Sequence, residues 1–416
     1  NVNDLIYDFQ SGFRQSYSTD SALTFLSDKI RFNMDAGLYT GIVLIDLQKA
    51  FDTVDHQILT SKLKALGINR SAVAWFESYL SERQQFVNVN GTQSASGEVT
   101  CGVPQGSILG PLLFTIYVND MVRAVECELL LYADDSALVV SGKDPEQIER
   151  QLSQELENLS IWLEENKLSL HLGKTESVLF ASKKRLSVVD TLSINCNNVK
   201  IDGKKSVKYL GMVLDQDMSG TTMGTSVIQK GNSKIKFLYR NKVFFGIKER
   251  KMLCSALLQS NFDYACNSWY RGLQKRLKDR LQTAQNKIVR YIFNYHSRKH
   301  LDFDDFNRLG WLNVARRVDY LALNNMYSIV SNTAPSYMRQ LDFVSHCYRT
   351  RRSNLSYGIP DVKTQGSFTF KFCGIKLWNQ LPLNIKKCES KEEFKKRCKR
   401  HLINEMKEEE TSEFTV

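Results

Sequence analysis

The sequence has 416 residues, 42% of them hydrophobic and 24% charged, which excludes a disordered chain and fits two or three globular domains. Its richest apolar run, "ILGPLLFTIYV", is short and broken by Gly110 and Pro111, so no membrane association is expected. The formal net charge of +11 is uneven. Residues 1–220 hold 20 Lys and Arg against 28 Asp and Glu, a balance of −8, whereas the remainder holds 36 against 17, a balance of +19.

The basic second half carries aromatic residues among its charges, as in "KIKFLYRNKVFF" and "RYIFNYHSRKH". A positive surface with interleaved rings suits a phosphate backbone and stacked bases, although solvated helix faces would give the same composition. The nine cysteines form no C-x-x-C pair, and no targeting signal is visible. We therefore expect reduced thiols and an intracellular protein.

The beginning of the chain predicts a mixed α/β structure. The stretch "TDSALTFLSDKIRFNMDAG" has apolar residues at helical spacing, a cap at Thr19 or Asp20, and an end at Gly37. The run "GIVLID" predicts a strand buried on both faces that delivers Asp46 at its C-terminal end. The stretch "DHQILTSKLKALG" predicts a helix capped near Asp55.

The next predicted elements surround a glycine-containing loop. The stretch "QFVNVNGTQSASGEVTC" predicts a hairpin about Asn90-Gly91, and "CGVPQGS" leads into the helical run "ILGPLLFTIYVNDMV". The stretch "ELLLYADDSALVV" predicts a hairpin with its tip at Asp134-Asp135. A long helix from about Pro145, a strand "ESVLFAS" and a hairpin "SVKYLGMVLD" follow, before a mostly helical second half.

The adjacent carboxylates of Asp134 and Asp135 suit a plain surface turn, but a second buried strand also ends in a carboxylate, Asp46. If the two strands are neighbours, Asp46 and Asp134 meet at one end of a sheet. Like charges about 4 Å apart repel by roughly 4 kcal/mol at an effective dielectric near 20, so such a cluster protonates or binds a divalent cation. Oxygen ligands favour Mg²⁺, and two such ions would activate an attacking hydroxyl and stabilise a leaving pyrophosphate.

Several motifs carry a family resemblance in their order and spacing. "YADD" at 132–135, "LIDLQKAFDTVDH" at 44–56 and "GVPQGSILGPLLFTIYVND" at 102–120 resemble reverse-transcriptase motifs of non-LTR retrotransposons, particularly the jockey-like group of long interspersed elements. "QSGFRQSYSTDSAL" at 10–23 is similar to the fingers motif, and "NKLSLHLGKTESVLF" and "VKYLGMVLD" are similar to later palm motifs and the primer-grip hairpin. The similarity covers nearly the whole chain.

The resemblance implies an α+β, right-hand polymerase fold. It has partial fingers, a palm of antiparallel sheet backed by helices, and a helical thumb plus a C-terminal region. The implied domains are a fingers remnant at 1–36, a palm with embedded fingers elements and a primer-grip hairpin at 37–220, a basic thumb at 221–300, and a nucleic-acid-binding region at 301–416. The reverse transcriptase domain would occupy about 1–215.

The resemblance also implies a catalytic and metal-binding set. Asp46, Asp134 and Asp135 would hold two Mg²⁺ ions, for which Mn²⁺ could substitute, and the backbone carbonyl of Leu47 would be a further ligand. Lys174 would complete the catalytic set, because its position matches a lysine that neutralises the triphosphate or protonates the leaving pyrophosphate.

Five further positions match a substrate-binding set. Phe51 would underlie the sugar and exclude a 2′-hydroxyl, and an ordinary core phenylalanine is the alternative. Pro104, Gln105 and Gly106 would back the templating base pair, since glycine allows close backbone approach and Gln105 supplies hydrogen bonds. Arg14 would reach the triphosphate, or serve as a salt-bridge partner.

The hairpin residues Tyr209, Leu210 and Gly211 would hold the primer end, or form a simple buried hairpin. The implied activity is RNA-directed DNA polymerisation with an RNA template, a DNA primer or target and dNTPs. Association with an endonuclease encoded upstream, and a nuclear or cytoplasmic ribonucleoprotein, are also expected. Two alternatives are a catalytically inactive, truncated retrotransposon-derived protein that binds nucleic acid, and a two-metal nuclease.

Overall fold

The computed structural model describes residues 5–189, 191–339 and 356–413, and it contains both helices and strands. Packing divides the chain into two compact units, the first comprising 1–18, 39–179 and 184–207, the second comprising 19–38, 180–183 and 208–416. The first long helix, α1 (Thr19–Asp35), thus groups with the second half of the chain. The expected domain boundaries, which follow chain order, stay a prediction.

The first unit is built around one six-stranded sheet with the strand order β6-β7-β1-β8-β10-β9, beside the two-stranded pairs β2-β5 and β3-β4. In chain order these strands are β1 (Tyr39–Ile45), β2 (Arg83–Gln85), β3 (Asn88–Val89), β4 (Thr92–Gln93), β5 (Gly97–Val99), β6 (Glu128–Tyr132), β7 (Asp135–Gly142), β8 (Glu176–Phe180), β9 (Ser193–Cys196) and β10 (Val199–Lys204). The β3-β4 pair confirms the hairpin expected about Asn90-Gly91.

The large sheet is mixed rather than purely antiparallel. Strand β7 is antiparallel to both β1 and β6, and β9 is antiparallel to β10. Strand β10, however, runs parallel to β8, with Gly203 opposite Ser177. The expectation of an antiparallel sheet is therefore wrong at this pair. The chain between these strands includes a short helix and β9, and a connection of that length permits a parallel return.

The first unit also contains helices. In chain order they are α2 (His56–Ala65), α3 (Arg70–Leu80), α4 (Leu109–Tyr117), α5 (Pro145–Glu165) and α6 (Lys183–Leu186), with 3₁₀ turns at Asn119–Ala124 and Leu172–Lys174. Helix α5 packs on β1, β7 and β9. A Cβ on Gly41 of β1 would lie 2.5 Å from Ile148 Cγ2 and 2.8 Å from Leu152 Cδ1. Glycine at this position therefore lets α5 pack closely on the strand that precedes Asp46.

The second unit is mainly helical. After helix α1, the second unit has two strands, β11 (Ser206–Tyr209, which begins in the first unit) and β12 (Met212–Asp215). Its later helices are α7 (Thr221–Arg240), α8 (Ile247–Cys254), a π-helix (Ser255–Gln259), α9 (Ser260–Asp263), α10 (Cys266–Trp269), α11 (Lys275–Phe293), α12 (Phe303–Leu309), α13 (Val314–Val330), α14 (Ser336–Arg339), α15 (Phe370–Gln380), α16 (Leu383–Lys386) and α17 (Lys391–Glu413), with 3₁₀ turns at Lys242–Phe244 and Gly366–Phe368. Strands β11 and β12 form the expected hairpin. Among the described residues, no helix is both long enough and apolar enough to cross a bilayer.

Two carboxylates of α1 bind the backbone of residues 363–371. Asp28 is 1% exposed and accepts the N–H groups of Phe370 at 2.7 Å and Lys371 at 2.8 Å, at the start of α15. Burial raises the pKa of Asp28 to about 7, against the opposing effect of these two N–H donors. Asp35 accepts three more N–H groups from the same segment. Helix α1 is therefore held by hydrogen bonds to residues more than 300 positions later.

Candidate active site

The end of β1 and the start of β7 lie side by side. Their antiparallel register ends at the pair Ile45–Ser136. The next residue along the chain is Asp46, and the residue before Ser136 is Asp135, so continuing the register places these two carboxylates opposite each other. All seven residues of β1 are buried, whereas Asp46 is half-buried. A buried strand thus delivers its first carboxylate where the sheet meets solvent.

A two-residue turn joins β6 to β7. Tyr132 pairs with Asp135, so the turn consists of Ala133 and Asp134, one residue earlier than the sequence predicts. Ala133 has φ +58, and a positive φ at the first turn residue matches the twist of a hairpin. Alanine has no preference for this conformation, which is why the sequence alone misplaces the tip. Asp134 therefore lies in the turn, while Asp135 begins β7.

The three carboxylates interact electrostatically, and a lysine lies next to them. Desolvation by the surrounding protein raises the pKa of Asp135 although its side chain reaches solvent, and the charges of Asp134 and then Asp46 raise it further. The Nζ of Lys174 lies 3.4 Å from Oδ2 of Asp46, and both side chains are partly exposed. The structure thus places all four residues of the expected catalytic set at the same end of the sheet.

A backbone bridge holds Lys174 near β1. Leu47 and Leu170 form an isolated antiparallel bridge, and the N–H of His171 donates to the carbonyl of Asp46 at 2.9 Å. In such a pair the flanking residues make the hydrogen bonds, so the carbonyl of Leu47 itself points away from Leu170. This orientation leaves the oxygen of Leu47 outside the bridge, and its role as a metal ligand stays a prediction.

The donor chemistry of this site fits a hard divalent cation, because carboxylate and carbonyl oxygens are the ligands that Mg²⁺ prefers. Within the described ranges, however, no three acidic, histidine or cysteine side chains converge closely enough to form a metal-binding group. Asp46 instead faces the ammonium group of Lys174. Mg²⁺ usually takes only one or two protein carboxylates and completes its ligands with waters and substrate phosphates, so the metal site stays a prediction.

Phe51 is supported on two sides by aromatic rings. It stacks on the fully buried Phe114 with ring centroids 4.3 Å apart, and it meets Phe13 in an edge-to-face contact at 6.2 Å. Phe51 itself is only half-buried. A rigidly supported ring with one accessible side is compatible with a wall of a nucleotide site, and its stacking on Phe114 also makes it part of the core.

The loop at 102–106 is bound to the turn that contains Phe51. The N–H of Val103 donates to the carbonyl of Phe51 at 2.8 Å, and Nε2 of Gln105 donates to Oδ1 of Asp52 at 2.7 Å. Nε2 of His56 lies 2.7 Å from the carbonyl of Gly102. Sequence reasoning assigned no role to Asp52 or His56, although both lie within the quoted motif at 44–56.

Two glycines shape this loop for different reasons. Gly102 has φ +88, and a Cβ there would lie 2.8 Å from the carbonyl oxygen of Asp52. Gly106 has φ +79, but a Cβ there would meet no atom within 4 Å. Gly102 therefore allows close backbone approach within the protein, whereas Gly106 supplies the turn conformation, and the predicted approach of this loop to the nucleotide stays a prediction. The carbonyl of Pro104 accepts the hydroxyl of Ser107 at 2.7 Å.

Arg14 bonds within its own part of the chain. Its guanidinium donates to the carbonyls of Tyr7 at 2.8 Å and Gln10 at 3.1 Å, and it lies 4.1 Å over the ring of Tyr17. Both hydrogen bonds go to backbone oxygens. The predicted triphosphate contact of Arg14 stays a prediction.

The hairpin expected to hold the primer end belongs to the second unit. Leu210 and Gly211 form its turn with φ +44 and +82, the two positive values of a type I′ turn. Tyr209 and Leu210 are 4% and 9% exposed, and the hydroxyl of Tyr264 donates to the carbonyl of Leu210. The side chains of Tyr209 and Leu210 are thus buried, as in the simpler alternative.

Two residues near the carboxylates had no role assigned from the sequence. Gln10 is 1% exposed and its Oε1 accepts the N–H of Ala133 at 3.1 Å. A Cβ on Gly12 would lie 2.4 Å from the same nitrogen. Both residues belong to the quoted "QSGFR" motif, but their contacts with a turn 120 residues later cannot be read from one sequence.

Comparison with known proteins identifies the class. Residues 1–214, just over half of the chain, match the family model described as "Reverse transcriptase (RNA-dependent DNA polymerase)". The chain belongs to this family, and its resemblance to the polymerases of non-LTR retrotransposons is confirmed.

Individual relatives make the resemblance specific. The chain is 30% identical over 302 residues to the probable RNA-directed DNA polymerase from transposon BS of Drosophila melanogaster, covering 69% of this chain and 33% of that protein. It is 29% identical to the RNA-directed DNA polymerase from mobile element jockey of the same species, covering 59% and 28%. The chain thus spans about a third of the length of these curated relatives.

A solved telomerase from Candida albicans, in complex with a TWJ fragment of telomeric RNA, aligns with 82% of this chain and 56% of its own. The sequence identity is 13% and the TM-score 0.37, a likeness too low to support a conclusion about the fold.

Proposed function

We propose that the chain is the palm, thumb and C-terminal part of an RNA-directed DNA polymerase of a non-LTR retrotransposon. It would join a deoxynucleotide from a dNTP to the 3′-hydroxyl of a DNA primer, with RNA as the template. The observation that carries this proposal is the β1–β7 register, which brings Asp46 to the turn containing Asp134. Family membership and the names of the relatives support it.

The proposed roles follow from the positions of the side chains. Asp46 and Asp134 are the principal metal ligands, with Asp135 and the carbonyl of Leu47 assisting. Two Mg²⁺ ions, or Mn²⁺ in their place, would supply Lewis-acid activation of the primer hydroxyl and stabilise the charge on the pyrophosphate. Lys174, which faces Asp46 in this structure, would turn to the triphosphate and neutralise it or donate a proton to the leaving pyrophosphate.

The nucleotide site is proposed to lie next to these acids. Phe51 would contact the sugar, and its support by Phe114 would keep the ring from yielding to a 2′-hydroxyl. Pro104, Gln105 and Gly106 would lie against the templating pair. Their loop is already fixed to the Phe51 turn by hydrogen bonds, so it needs little ordering when a nucleotide binds.

Helix α7 of the second unit supports binding of the nucleic-acid backbone by the proposed thumb. Its buried face includes Val227, Ile235 and Leu238, while Lys236 and Phe237 lie exposed on the other side. The Phe237 ring is 62% exposed. Exposed rings among lysines suit stacked bases and phosphates. We extend the proposal to residues 301–416 as a further nucleic-acid-binding region.

Primer extension tests the proposed activity. The chain, supplied with a primed RNA template, Mg²⁺ and labelled dNTPs, should extend the primer, and Asp134→Asn should abolish extension. Asp202→Asn is the matched control, because Asp202 is an 80% exposed carboxylate elsewhere on the same sheet. Duplex binding without extension by the unaltered chain would favour the inactive nucleic-acid-binding alternative. Degradation of the template or primer would favour the nuclease.

The proposed backbone contact of α7 is tested by salt. The affinity for an RNA–DNA duplex should fall steeply as salt rises, and Lys236→Glu should make the slope of log K against log[salt] shallower by about one. Lys143→Glu, an exposed lysine in the turn after β7, serves as a control. Equal slopes for both variants would exclude Lys236 from the interface.

The cellular setting is also a proposal. We propose that the chain works in a nuclear or cytoplasmic ribonucleoprotein and associates with an endonuclease encoded upstream. The resemblance to jockey-like elements supports this, and co-purification of nicking activity with the chain from cells that express the element would test it.

A further inference from the structure

The turn that carries Asp134 is flanked by residues 9–13, which we name the anchor segment. The N–H of Leu131 donates to the carbonyl of Phe9 at 3.0 Å, and its carbonyl accepts the N–H of Ser11 at 2.8 Å. Gln10 and Leu131 form a parallel bridge. The anchor segment therefore adds a short strand beside β6, directly before the turn.

Gln10 links the anchor segment to the turn with one atom. Its Oε1 accepts both the N–H of Ala133 at 3.1 Å and the N–H of Gly12 at 2.8 Å. Because both partners are donors, the oxygen rather than the nitrogen of the carboxamide must face them. The side chain is 1% exposed, so water cannot readily replace this acceptor.

The hydrogen bond is made to a strained residue. Ala133 has φ +58, a conformation that a residue with a Cβ keeps only where its surroundings hold it. Gly12 contributes by proximity, since a Cβ there would lie 2.4 Å from the nitrogen of Ala133 and 3.0 Å from its Cα. The neighbouring Phe13 contacts the ring of Phe51. The anchor segment thus touches both the catalytic turn and the proposed nucleotide site.

We infer that Gln10 and Gly12 are positioning residues, which hold Ala133 in its positive-φ conformation and thereby fix the direction of the adjacent Asp134 carboxylate. Neither residue need touch a substrate. The inference rests on the proposed function for its catalytic consequence, whereas the anchoring of the turn is a property of the fold. Loss of the anchor should weaken the response to Mg²⁺ before it weakens duplex binding, since Asp134 is a proposed metal ligand.

The test removes the acceptor while keeping an apolar side chain that fits a buried site. In Gln10→Leu the N–H of Ala133 is left without its acceptor, and hydrogen exchange at that amide should become about 10- to 100-fold faster. The Mg²⁺ concentration for half-maximal primer extension should rise by about tenfold or more, with the affinity for the duplex unchanged. Gln15→Leu, at an exposed position in the following loop, is the matched control and should change neither quantity.

Two further variants guard against misfolding. Gln10→Glu retains a side-chain oxygen acceptor and should restore slow exchange at Ala133. Gly12→Ala should displace the turn, whereas Gly97→Ala, where a Cβ would meet nothing within 4 Å, should not. If Gln10→Leu fails to fold, Gly12→Ala and its control Gly97→Ala are compared instead. The same two quantities are measured: hydrogen exchange at Ala133 and the Mg²⁺ concentration for half-maximal primer extension.

The outcomes separate this inference from the proposed function. Unchanged exchange at Ala133 in Gln10→Leu, or faster exchange with an unchanged Mg²⁺ response, would overturn the positioning role. If the parent chain extends no primer, the proposed function fails. The positioning role is then tested by measuring hydrogen exchange at the amide of Ala133 with and without Mg²⁺. If Mg²⁺ protects the amide of Ala133 from exchange in the parent chain and this protection is lost in Gln10→Leu, the inference is supported. If the protection persists in Gln10→Leu, the inference is overturned.

Discussion

Replacing Gly102 should release the loop at 102–106 from the turn that carries Phe51. In Gly102→Ala the new Cβ would lie 2.8 Å from the carbonyl oxygen of Asp52 and 2.9 Å from its Cα. Both atoms are backbone, so no side-chain rotation relieves the clash. The variant must also adopt φ +88, which costs a non-glycine residue about 1–3 kcal/mol.

The clash adds a second cost that can be estimated from the hydrogen bonds at risk. The N–H groups of Gly102 and Val103 donate into the turn at 2.7 and 2.8 Å, and His56 contacts the carbonyl of Gly102 at 2.7 Å. At about 0.5–1.5 kcal/mol each, losing these three bonds should cost about 2–4 kcal/mol. That corresponds to exchange at the amide of Val103 roughly 30- to 1,000-fold faster than in the parent chain.

Gly106→Ala separates the cost of the positive φ from the cost of the steric clash. Its φ of +79 imposes a similar conformational penalty, but its Cβ would enter open space. Hydrogen exchange at Val103 should therefore change little in this variant. Primer extension by Gly102→Ala should show a raised KM for dNTPs, because the loop no longer lies in register with Phe51. Equal acceleration of exchange in both variants would refute the role assigned to close packing at Gly102.

Two other predictions concern Phe51 and Asp28. Phe51→Val should lower discrimination against ribonucleotides by about 10- to 100-fold, measured as the ratio of kcat/KM for a dNTP and its rNTP, and an unchanged ratio would exclude the ring as a gate. Because burial raises the pKa of Asp28 to about 7, the folded state binds a proton that the unfolded chain releases above about pH 4, so the free energy of unfolding should fall as pH rises to 7. In urea titrations at several pH values, Asp28→Asn should remove up to about 4 kcal/mol of this decline in the free energy of unfolding, and Asp202→Asn should remove none of it. Parallel curves of unfolding free energy against pH for Asp28→Asn and the parent chain would contradict this assignment.

The sequence predicts the elements that carry the acids because each is marked by a local pattern. The apolar run before Asp46 is a buried strand, and the stretch around Asp134 is a hairpin, as expected. The helix capped by Asp55 is also found where cap and spacing place it, and the long helix begins at Pro145, as expected. These features depend on residues that are close together along the chain, so a single sequence is enough to predict them.

Features that depend on distant residues could not be predicted. The positive φ of Ala133 has no signal in its own residue type, because it is held by Gln10 and Gly12 from more than 100 positions away. The parallel pairing of β10 with β8 likewise depends on tertiary contacts, since either strand direction satisfies the apolar pattern. Motif resemblance predicted the position of the site, but it assigned no role to the residues that hold the turn.

The bonds from Asp28 to the start of α15 join residues 342 positions apart, with a consequence for the order of folding. During synthesis, helix α1 is complete long before residues 363–371 leave the ribosome. Until they do, the carboxylate of Asp28 lacks the N–H groups of Phe370 and Lys371 that bind it in the folded protein. The second unit can reach its final packing only after residues 363–371 have been made. Ending the chain between α14 and α15 would therefore destabilise helix α1, which lies more than 300 positions earlier. Loss of activity in such a deletion would report misfolding as readily as lost nucleic-acid binding.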